Sequence, residues 1–353
     1  MLQHLTVIEL ASVLAGPAVG MFLAELGARV VKIENPEGGD ITRQWKLPTE
    51  DAYSPVSAYF SSVNWGKEYR SIDLKTSEGK QAVLELIASA DIVLANFKLD
   101  DDIKLGLDYE TLKALNPKLI YGCITGFGPT DGRTAFDVVL QAEAGLMYMN
   151  GTPESGPVKW PVAVVDLMAA HQLKEGILLA LLQRERTGVG AKVSVSLYDA
   201  AVASLANQAT NWLMVGHVPQ RIGSLHPNIA PYGETLTCAD GRQIVLAVGN
   251  NHQFEGLCKA LGLEELIADT RFTTNSNRVV HRQELLDDLQ KHAVLWRRDE
   301  LLEALLAAKV PAGASRNMQE VFAQPSAQNL IRSENISGVA TQRVATAIFK
   351  ISN

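Results

Sequence analysis

One stretch decides the fold: Trp160-Pro-Val-Ala-Val-Val-Asp166-Leu-Met-Ala-Ala-His171, which runs on to Arg184-Glu-Arg-Thr-Gly188. Residues 162–165 are a short, valine-rich apolar run of the kind that forms a buried strand. The residues beyond Asp166 have helical spacing, with apolar side chains at Ala170, Leu173, Ile177, Leu178, Leu181 and Leu182. Basic residues and Gly188 suit the last turn and the cap of that helix. The stretch therefore predicts a strand, then Asp166, then a helix.

Asp166 is thus expected at the start of a helix. The first turn of a helix has unpaired N–H groups and a partial positive charge, so a carboxylate there should stay ionised and be aimed by backbone donors. The structural interpretation is a helix N-cap, which Asp often forms. The functional interpretation is a catalytic carboxylate, and the two roles are compatible.

The N-terminal residues predict a strand, a helix and a second strand, at residues 6–10, 18–26 and 28–34. Such a unit gives parallel strands joined by a right-handed crossover. An acidic residue at the end of the second strand is typical of nicotinamide-binding folds. The first turn, however, has Gly16 and Gly20 around Pro17 and lacks the G-x-G-x-x-G fingerprint, which argues against a nucleotide-dependent oxidoreductase.

Further strands are predicted at residues 71–74, 91–95 and 119–125, with a helix at 76–88. This alternation predicts an α/β fold with a large doubly wound, Rossmann-like domain. Ligands of such sheets bind beyond the carboxyl ends of the strands. The loops at 96–98 and 126–128, together with Asp166, should therefore share one crevice.

A Pro- and Gly-rich segment, residues 216–233, predicts a linker. A hairpin through Asp240-Gly241 and three helices, near 252–261, 281–292 and 298–308, then indicate a smaller α+β domain at 234–315. The large domain is expected to comprise residues 1–215 and to be completed by 320–353, with an edge strand at 345–351.

The composition limits the possible partners. The chain has 353 residues and a net charge of −7, so it lacks the basic excess that nucleic-acid binding requires. Its three cysteines have no metal-site spacing and fit a reducing compartment, so no metal site is predicted. The early charge-free run between Glu9 and Glu25 is too short to span a membrane, and no basic segment precedes it. We expect a cytoplasmic protein without a membrane partner.

Taken in order, many short motifs resemble the family III coenzyme A transferases, a family that also contains the 2-methylacyl-CoA racemases. The matching motifs are Ala15-Gly16-Pro17, Arg29-Val-Val-Lys-Ile-Glu34 with Gly39-Asp40, Asn96-Phe97-Lys98, Leu105-Gly-Leu-Asp-Tyr-Glu110, Asn116-Pro-Lys-Leu-Ile-Tyr121, Phe136-Asp-Val-Val-Leu-Gln141, Asp166 before its helix, Arg186-Thr-Gly-Val-Gly190 and Pro231-Tyr-Gly233. The resemblance covers nearly the whole chain.

The resemblance implies transfer of coenzyme A from an acyl thioester to a free carboxylic acid. Asp166 matches the family's covalent nucleophile, which forms an anhydride and then an aspartyl thioester. It also implies an interlocked homodimer, with coenzyme A as a substrate and no permanently bound cofactor.

The resemblance also places coenzyme A. By position, the residues that would bind it are Val13, Leu14, Ala15, Ile72, Asp73, Leu74, Lys75, Asn96, Phe97, Lys98, Lys104, Phe136 and Asp137. Lys98 and Lys104 would meet the phosphates, and the alternative for each is a solvated surface charge, which competes more strongly at Lys104.

Two features depart from the family pattern. Leu99-Asp-Asp-Asp102 follows Lys98 in place of a Pro-Gly turn, which would weaken a phosphate site unless the acids point away. Gly249-Asn-Asn251 stands where oxalate-type relatives have a glycine run, which argues against oxalate or formate specificity.

The alternative function is a racemase acting α to an acyl-CoA carbonyl, which needs an acid–base pair. In those relatives the pair is an Asp and a His that follows a Gly. The corresponding stretch, Ala135-Phe-Asp-Val138, has no His and favours the transferase. His171 is predicted to be a packed structural histidine.

Overall fold

The computed structural model describes residues 1–352 and is built on a six-stranded sheet. Its strands are β1 (Thr6–Glu9), β2 (Arg29–Glu34), β3 (Lys67–Ser71), β4 (Ile92–Ala95), β5 (Ile120–Thr125) and β6 (Ala191–Ser196). They lie in the order β3-β2-β1-β4-β5-β6, and every neighbouring pair is parallel. The chain winds from β1 out to β3 and then returns to β4, so a topological switch point lies between β1 and β4. The predicted α/β fold class is confirmed.

Helices connect these strands. They are α1 (Ala15–Glu25), α2 (Ala58–Ser61), α3 (Ser77–Ala88), α4 (Asp101–Leu105), α5 (Tyr109–Leu115), α6 (Asp137–Glu143), α7 (Leu146–Met149), α8 (Val164–Thr187), α9 (Leu197–Ala203) and α10 (Ala206–Val215), with a 3-10 turn at Ile41–Gln44. Helix α8 ends as predicted, because Gly188 adopts a positive φ of 72° and donates its N–H to the Arg184 carbonyl. No helix among residues 1–352 has the length and apolar composition needed to cross a bilayer.

The sheet has a helical layer on each face. Alternate residues of a strand point to opposite faces, so Val7 of β1 contributes to one core and Ile8 to the other. The first core contains α1 and α8, including the predicted stripe residues Leu173 and Ile177. The second core contains α3 and α5. Because both faces are covered, the central strands are mostly apolar, and Ile92–Ala95 of β4 is apolar at every position.

The strand predicted at residues 162–165 is wrong. Val162 is 50% exposed, and Val164 already belongs to the first turn of α8. A strand needs a neighbour to pair with, and no strand among residues 1–352 lies beside this run. A short apolar run cannot by itself distinguish a strand from a helix start.

Two other strand predictions also differ from the structure. The third strand is Lys67–Ser71 rather than 71–74, and its polar sequence reflects its position at the sheet edge. Residues 345–351 form no strand, because the N–H groups of residues 346 and 347 donate to the Glu25 carboxylate. A hairpin precedes them instead, β10 (Ile331–Ile336) and β11 (Val339–Val344), which turns at Ser337-Gly338 with both residues at positive φ.

A second compact unit contains a three-stranded antiparallel sheet and its own core. The strands are β7 (Tyr232–Thr237), β8 (Gln243–Ala247) and β9 (Ala312–Ala314), in the order β7-β8-β9. The helices are α11 (Asn251–Leu261), α12 (Glu265–Ala268), α13 (Asn275–Val280), α14 (Arg282–Ala293), α15 (Arg298–Ala307), α16 (Met318–Phe322) and α17 (Pro325–Gln328). Leu236 and Ile244 from the sheet pack with Phe254 and Leu289 from the helices.

The units are divided at different residues from the predicted domains. Unit 1 comprises Met1–Met147, Lys159–Pro219 and the chain from Gln328 onward, and unit 2 comprises Tyr148–Val158 and Gln220–Ala327. Residues 148–158 therefore belong to the smaller unit, because their backbone bonds to it, for example from Gly223 N to Gly151 O at 2.8 Å. Most of the predicted linker, residues 216–233, belongs to that unit as well.

Candidate active site

A cavity of about 410 Å³ lies in unit 1 at the carboxyl ends of β1, β4 and β5. Residues 12–15 follow β1, residues 95–103 follow β4 and residues 124–136 begin in β5 and continue beyond it, and most of them line the cavity. Asp166 and Leu197 complete this part of the wall. The cavity therefore occupies the position beside the switch point where ligands of doubly wound sheets bind.

Asp166 is the third residue of α8 and is only 8% exposed. Its carboxylate has no hydrogen-bond or ion-pair partner in the described chain, residues 1–352, and Ala163 provides no side-chain cap. Burial, and secondly the negative charge of Asp137, raise the pKa of Asp166 to about 7. The expectation of a carboxylate aimed by backbone donors and kept ionised by the helix is therefore not met.

Asp137, the first residue of α6, provides the missing cap. Its Oδ1 accepts the Val165 N–H at 2.8 Å, and its Oδ2 accepts from Gln141 Nε2 at 2.6 Å. Gln141 is buried and accepts the Trp160 N–H at 2.7 Å. A neighbouring helix thus satisfies the start of α8, which leaves the Asp166 carboxylate free for chemistry.

The loop after β1 is tied to the loop after β4. The Ser12 N–H donates to Asn96 Oδ1 at 3.0 Å, and Asn96 Nδ2 donates to the Ser12 carbonyl at 2.9 Å. Val13, the next residue, has a positive φ of 73° and donates its N–H to Asp40. The side chain of Asn96 therefore holds two predicted binding segments in one wall.

The structure brings together part of the predicted coenzyme A site. Val13, Leu14, Ala15, Asn96, Phe97, Lys98, Phe136 and Asp166 line the cavity, whereas Ile72, Asp73, Leu74, Lys75, Lys104 and Asp137 do not. Ile72 and Leu74 pack against the second core instead. Lys104 is exposed and pairs with Asp101 at 2.9 Å. Of the two predicted phosphate-binding lysines, only Lys98 borders the cavity.

The three aspartates that depart from the family pattern, residues 100–102, also differ in whether they border the cavity. Asp100 and Asp102 border the cavity, while Asp101 faces Lys104. Two of these three carboxylates therefore border the same cavity as Lys98.

Sequence reasoning missed two cations of the cavity wall, Arg133 and Lys192. Arg133 lies over the Phe127 ring at 3.6 Å and pairs with Asp131 at 2.9 Å. Its place in the loop after the Gly126-Phe-Gly128 turn was the available signal. Lys192 is opposite Tyr121 in the register of β5 and β6, which no local sequence pattern reveals.

One aromatic side chain, Tyr59, lies near the site carboxylates. Burial, followed by the negative charges of Asp166, Asp137 and Asp40, raises the pKa of Tyr59 to about 12. Trp45 contacts Tyr59 edge-on, with the ring centroids 5.0 Å apart. Trp45 and Tyr59 thus form an aromatic pair of which Tyr59 lies near the nucleophile candidate.

His171 is exposed on α8 rather than packed, so that prediction is wrong for this chain.

Within residues 1–352, no group of three or more His, Cys, Asp or Glu side chains is placed to hold a metal ion.

Comparisons with known proteins agree with one another. The model of CoA-transferase family III matches residues 2–352. The succinate–glutarate CoA-transferase of Agrobacterium fabrum is 43% identical over 333 residues, 93% of this chain and 83% of that protein. The succinyl-CoA:glutarate CoA-transferase of Homo sapiens is 35% identical, over 92% of this chain and 74% of that protein. The crystal structure of a CAIB/BAIF family protein from Brucella suis superposes with a TM-score of 0.88 at 42% identity, and covers 98% of this chain and 91% of that one.

Proposed function

The chain belongs to CoA-transferase family III, and from that premise we propose that this CoA-transferase works through Asp166 on a short dicarboxylic acid. Coenzyme A would pass from an acyl-CoA donor to the free acid through covalent intermediates on the Asp166 carboxylate. The relatives named for succinate, succinyl-CoA and glutarate support a dicarboxylic acceptor of this size. Coenzyme A enters and leaves as a substrate, and no permanently bound cofactor is required.

The reaction consists of four balanced displacements. The Asp166 carboxylate attacks the thioester carbonyl, the C–S bond breaks, and an anhydride and the coenzyme A thiolate result. The thiolate attacks Cγ of Asp166 and expels the donor acid, which leaves an aspartyl thioester. The acceptor carboxylate displaces the thiolate to give a second anhydride, and the thiolate then attacks the acceptor's acyl carbon and releases Asp166. Together the four steps replace one difficult exchange by several easier ones.

The observation that carries this proposal is the isolation of Asp166. A carboxylate that is buried, lines a cavity and has no partner within residues 1–352 is poorly solvated and therefore more nucleophilic than in water. A structural N-cap would instead hold backbone N–H groups, and Asp137 has that role here. The pKa of about 7 leaves a large ionised fraction at neutral pH.

Lys98 is the cation that we propose for the coenzyme A phosphates. It follows β4 and borders the cavity, and charge-assisted contacts to phosphate are stronger than neutral ones. Arg133 and Lys192, which border the same cavity, would add positive charge to a wall that also contains Asp100 and Asp102.

We also propose that the protein is a homodimer. Several large apolar side chains of α8 and α10 are exposed on the single chain: Leu178, Leu179, Leu182, Trp212, Leu213, Met214 and Val215. Exposed apolar surface of this kind typically marks an interface, and symmetric dimers are the commonest assembly.

The three free cysteines fit a reducing compartment, which supports a cytoplasmic location.

The decisive experiment is the substitution Asp166→Asn. Asn keeps the shape of the side chain, so the variant should fold and bind acyl-CoA, yet lose turnover by several orders of magnitude because an amide cannot form the anhydride. The wild-type protein, mixed with succinyl-CoA and no acceptor, should accumulate an adduct on the peptide that contains residue 166. Hydroxylamine should release it and leave a hydroxamate, both detectable by mass spectrometry.

Asp199→Asn is the matched control. Asp199 is also the third residue of its helix, α9, but is exposed and does not border the cavity. This variant should keep its turnover. Full activity in Asp166→Asn would refute the proposed mechanism, and exchange of the α-proton into solvent without an adduct would indicate a racemase.

A further inference from the structure

A chain of buried charges lies beneath the loop that follows β1. Lys32 Nζ donates to Glu9 Oε1 at 3.0 Å and to the Ala11 carbonyl at 2.8 Å, and lies 3.0 Å from Asp40 Oδ2. Lys67 Nζ lies 2.8 Å from Glu9 Oε2. All four charged side chains are buried, and their formal charges sum to zero, which makes their burial tolerable.

Asp40 is the last of these buried charged residues, and it contacts the backbone of the cavity wall. It is 4% exposed. Its Oδ2 accepts the Val13 N–H at 3.1 Å, and its Oδ1 accepts the N–H and hydroxyl of Thr42 at 3.1 and 2.8 Å. Burial acts to raise the pKa of Asp40, but Lys32 and the Thr42 donors outweigh it and hold that pKa below its ordinary value. Asp40 is therefore a fixed, ionised acceptor.

Val13 has a backbone conformation that is unfavourable for valine. Its φ of 73° lies in the left-handed region, which β-branched residues avoid. Val13, Leu14 and Ala15 border the cavity with Asp166, and α1 begins at Ala15. Strained backbone of this kind persists only where surrounding groups over-determine it, and Asp40 provides such a restraint.

We propose that Asp40 is a positioning residue for coenzyme A transfer: through its hydrogen bond to Val13 it holds residues 13–15 in the conformation that faces Asp166. The proposal rests on the proposed function for the identity of the ligand. Asp40 itself does not border the cavity, so it acts through the backbone and not by contact with coenzyme A. The buried Glu9–Lys32 pair serves to fix the carboxylate that does this.

The test is a double-mutant cycle between Asp40→Asn and Val13→Gly. Asn presents one acceptor atom and one NH₂ group, so it repels either the Val13 or the Thr42 N–H. In the Val13 protein, Asp40→Asn should lower kcat for exchange between succinyl-CoA and glutarate by roughly ten- to a hundredfold, the scale for a misplaced reacting group. In the Val13→Gly background the same substitution should change kcat by no more than about twofold, because glycine adopts this φ without restraint.

Binding provides a readout that does not depend on the covalent chemistry. The same cycle, measured for coenzyme A by calorimetry in Asp166→Asn protein, should show weaker binding for Asp40→Asn when Val13 is present. In the Val13→Gly background, binding with and without the Asp40 carboxylate should be nearly equal. Failure of the Asp166 mechanism would leave this cycle interpretable, so the two proposals fail separately.

Asp91→Asn is the matched control. Asp91 also accepts a backbone N–H, that of Thr6 at 2.8 Å, and pairs with Arg184 at 3.0 Å, but it lies at the opposite end of the sheet. It should lower thermal stability without changing kcat or KM. If Asp40→Asn alone does not fold, the charge-balanced Lys32→Met/Asp40→Asn protein takes its place in the cycle. Unchanged kinetics and binding on loss of the Asp40 carboxylate, or an equal loss with and without the Val13 side chain, would overturn the proposal.

Discussion

In the proposed reaction Asp166 must be ionised to attack a thioester, and two features of its surroundings oppose ionisation. Burial is the larger and the charge of Asp137 the smaller, and together they bring the pKa to about 7. We therefore expect kcat/KM to rise with pH through about 7 and then level off. Asp137→Asn removes the second cause while its amide oxygen can still accept the Val165 N–H, so the acidic limb should move to lower pH.

A pH–rate profile of both proteins checks this. Asp131→Asn is the control, because Asp131 borders the cavity but is not among the causes of the Asp166 shift. Its profile should match the wild type. A limb that moves to higher pH in Asp137→Asn would contradict the assignment.

The structure separates Lys98 from Lys104, although both were predicted from the sequence to bind phosphate. Lys98→Ala should weaken coenzyme A binding by roughly 1–3 kcal/mol, the scale of a charge-assisted hydrogen bond. Lys104→Ala should bind normally, because Lys104 lies outside the cavity wall and pairs with Asp101. Calorimetry decides between them, and equal affinity in both variants would remove Lys98 from the site. Unequal losses for coenzyme A and dephospho-coenzyme A would place Lys98 at the 3′-phosphate.

At the scale of elements, helix α1 can lie against β1 only because residue 20 has no side chain. A Cβ built there would meet Glu9 Oε2 at 1.8 Å. Gly→Ala within a helix ordinarily stabilises it by about 1 kcal/mol, but here the displaced carboxylate belongs to the buried charge chain. We expect Gly20→Ala to destabilise the protein by roughly 1–3 kcal/mol, as overpacking of a core does.

Thermal or urea unfolding measures the effect. Gly313→Ala in β9 is the control, since its new Cβ would meet Val245 Cγ1 at an ordinary 3.7 Å. A Gly20→Ala protein as stable as the wild type would show that Glu9 can move without loss.

The elements also show how far the sequence alone leads. Apolar strands and capped helices were predictable, because both faces of the sheet are covered and the helices end in recognisable caps. Polar β3 and the valines before Asp166 were not, because edge pairing and the lack of a neighbouring strand are non-local facts. The same limit applies to the cavity. Residues that follow strands were predictable, whereas Lys192 depends on register and Asp137 on contact with a distant helix start.

At the scale of the whole molecule, the exposed apolar side chains of α10 are the feature that supports the proposed homodimer. Leu213 is 79% exposed on the single chain. We expect sedimentation equilibrium at micromolar concentration to give twice the 38.3 kDa mass of one chain. Leu213→Glu should weaken this association, because a charge would be buried in an apolar interface.

Leu306→Glu is the control, since Leu306 is similarly exposed but lies on α15 of the other unit. Its mass should remain that of the dimer. A mass of 38.3 kDa for the wild type would refute the assembly.

The unpartnered Asp166 also weakens the protein that carries it. Because its folded-state pKa is about 7 and its ordinary value is 3.8, the folded chain retains a proton between these values that the unfolded chain has lost. The free energy of unfolding therefore falls as pH rises through this window, by up to roughly 4 kcal/mol, and the loss is fully present above pH 7 and absent below pH 4. Asp166→Asn removes this burden. In a duplicated gene that is no longer selected for turnover, replacement of this carboxylate by Asn would stabilise the fold and should become common early. Asn at position 166 in such a copy would therefore indicate that the protein still folds but no longer transfers coenzyme A.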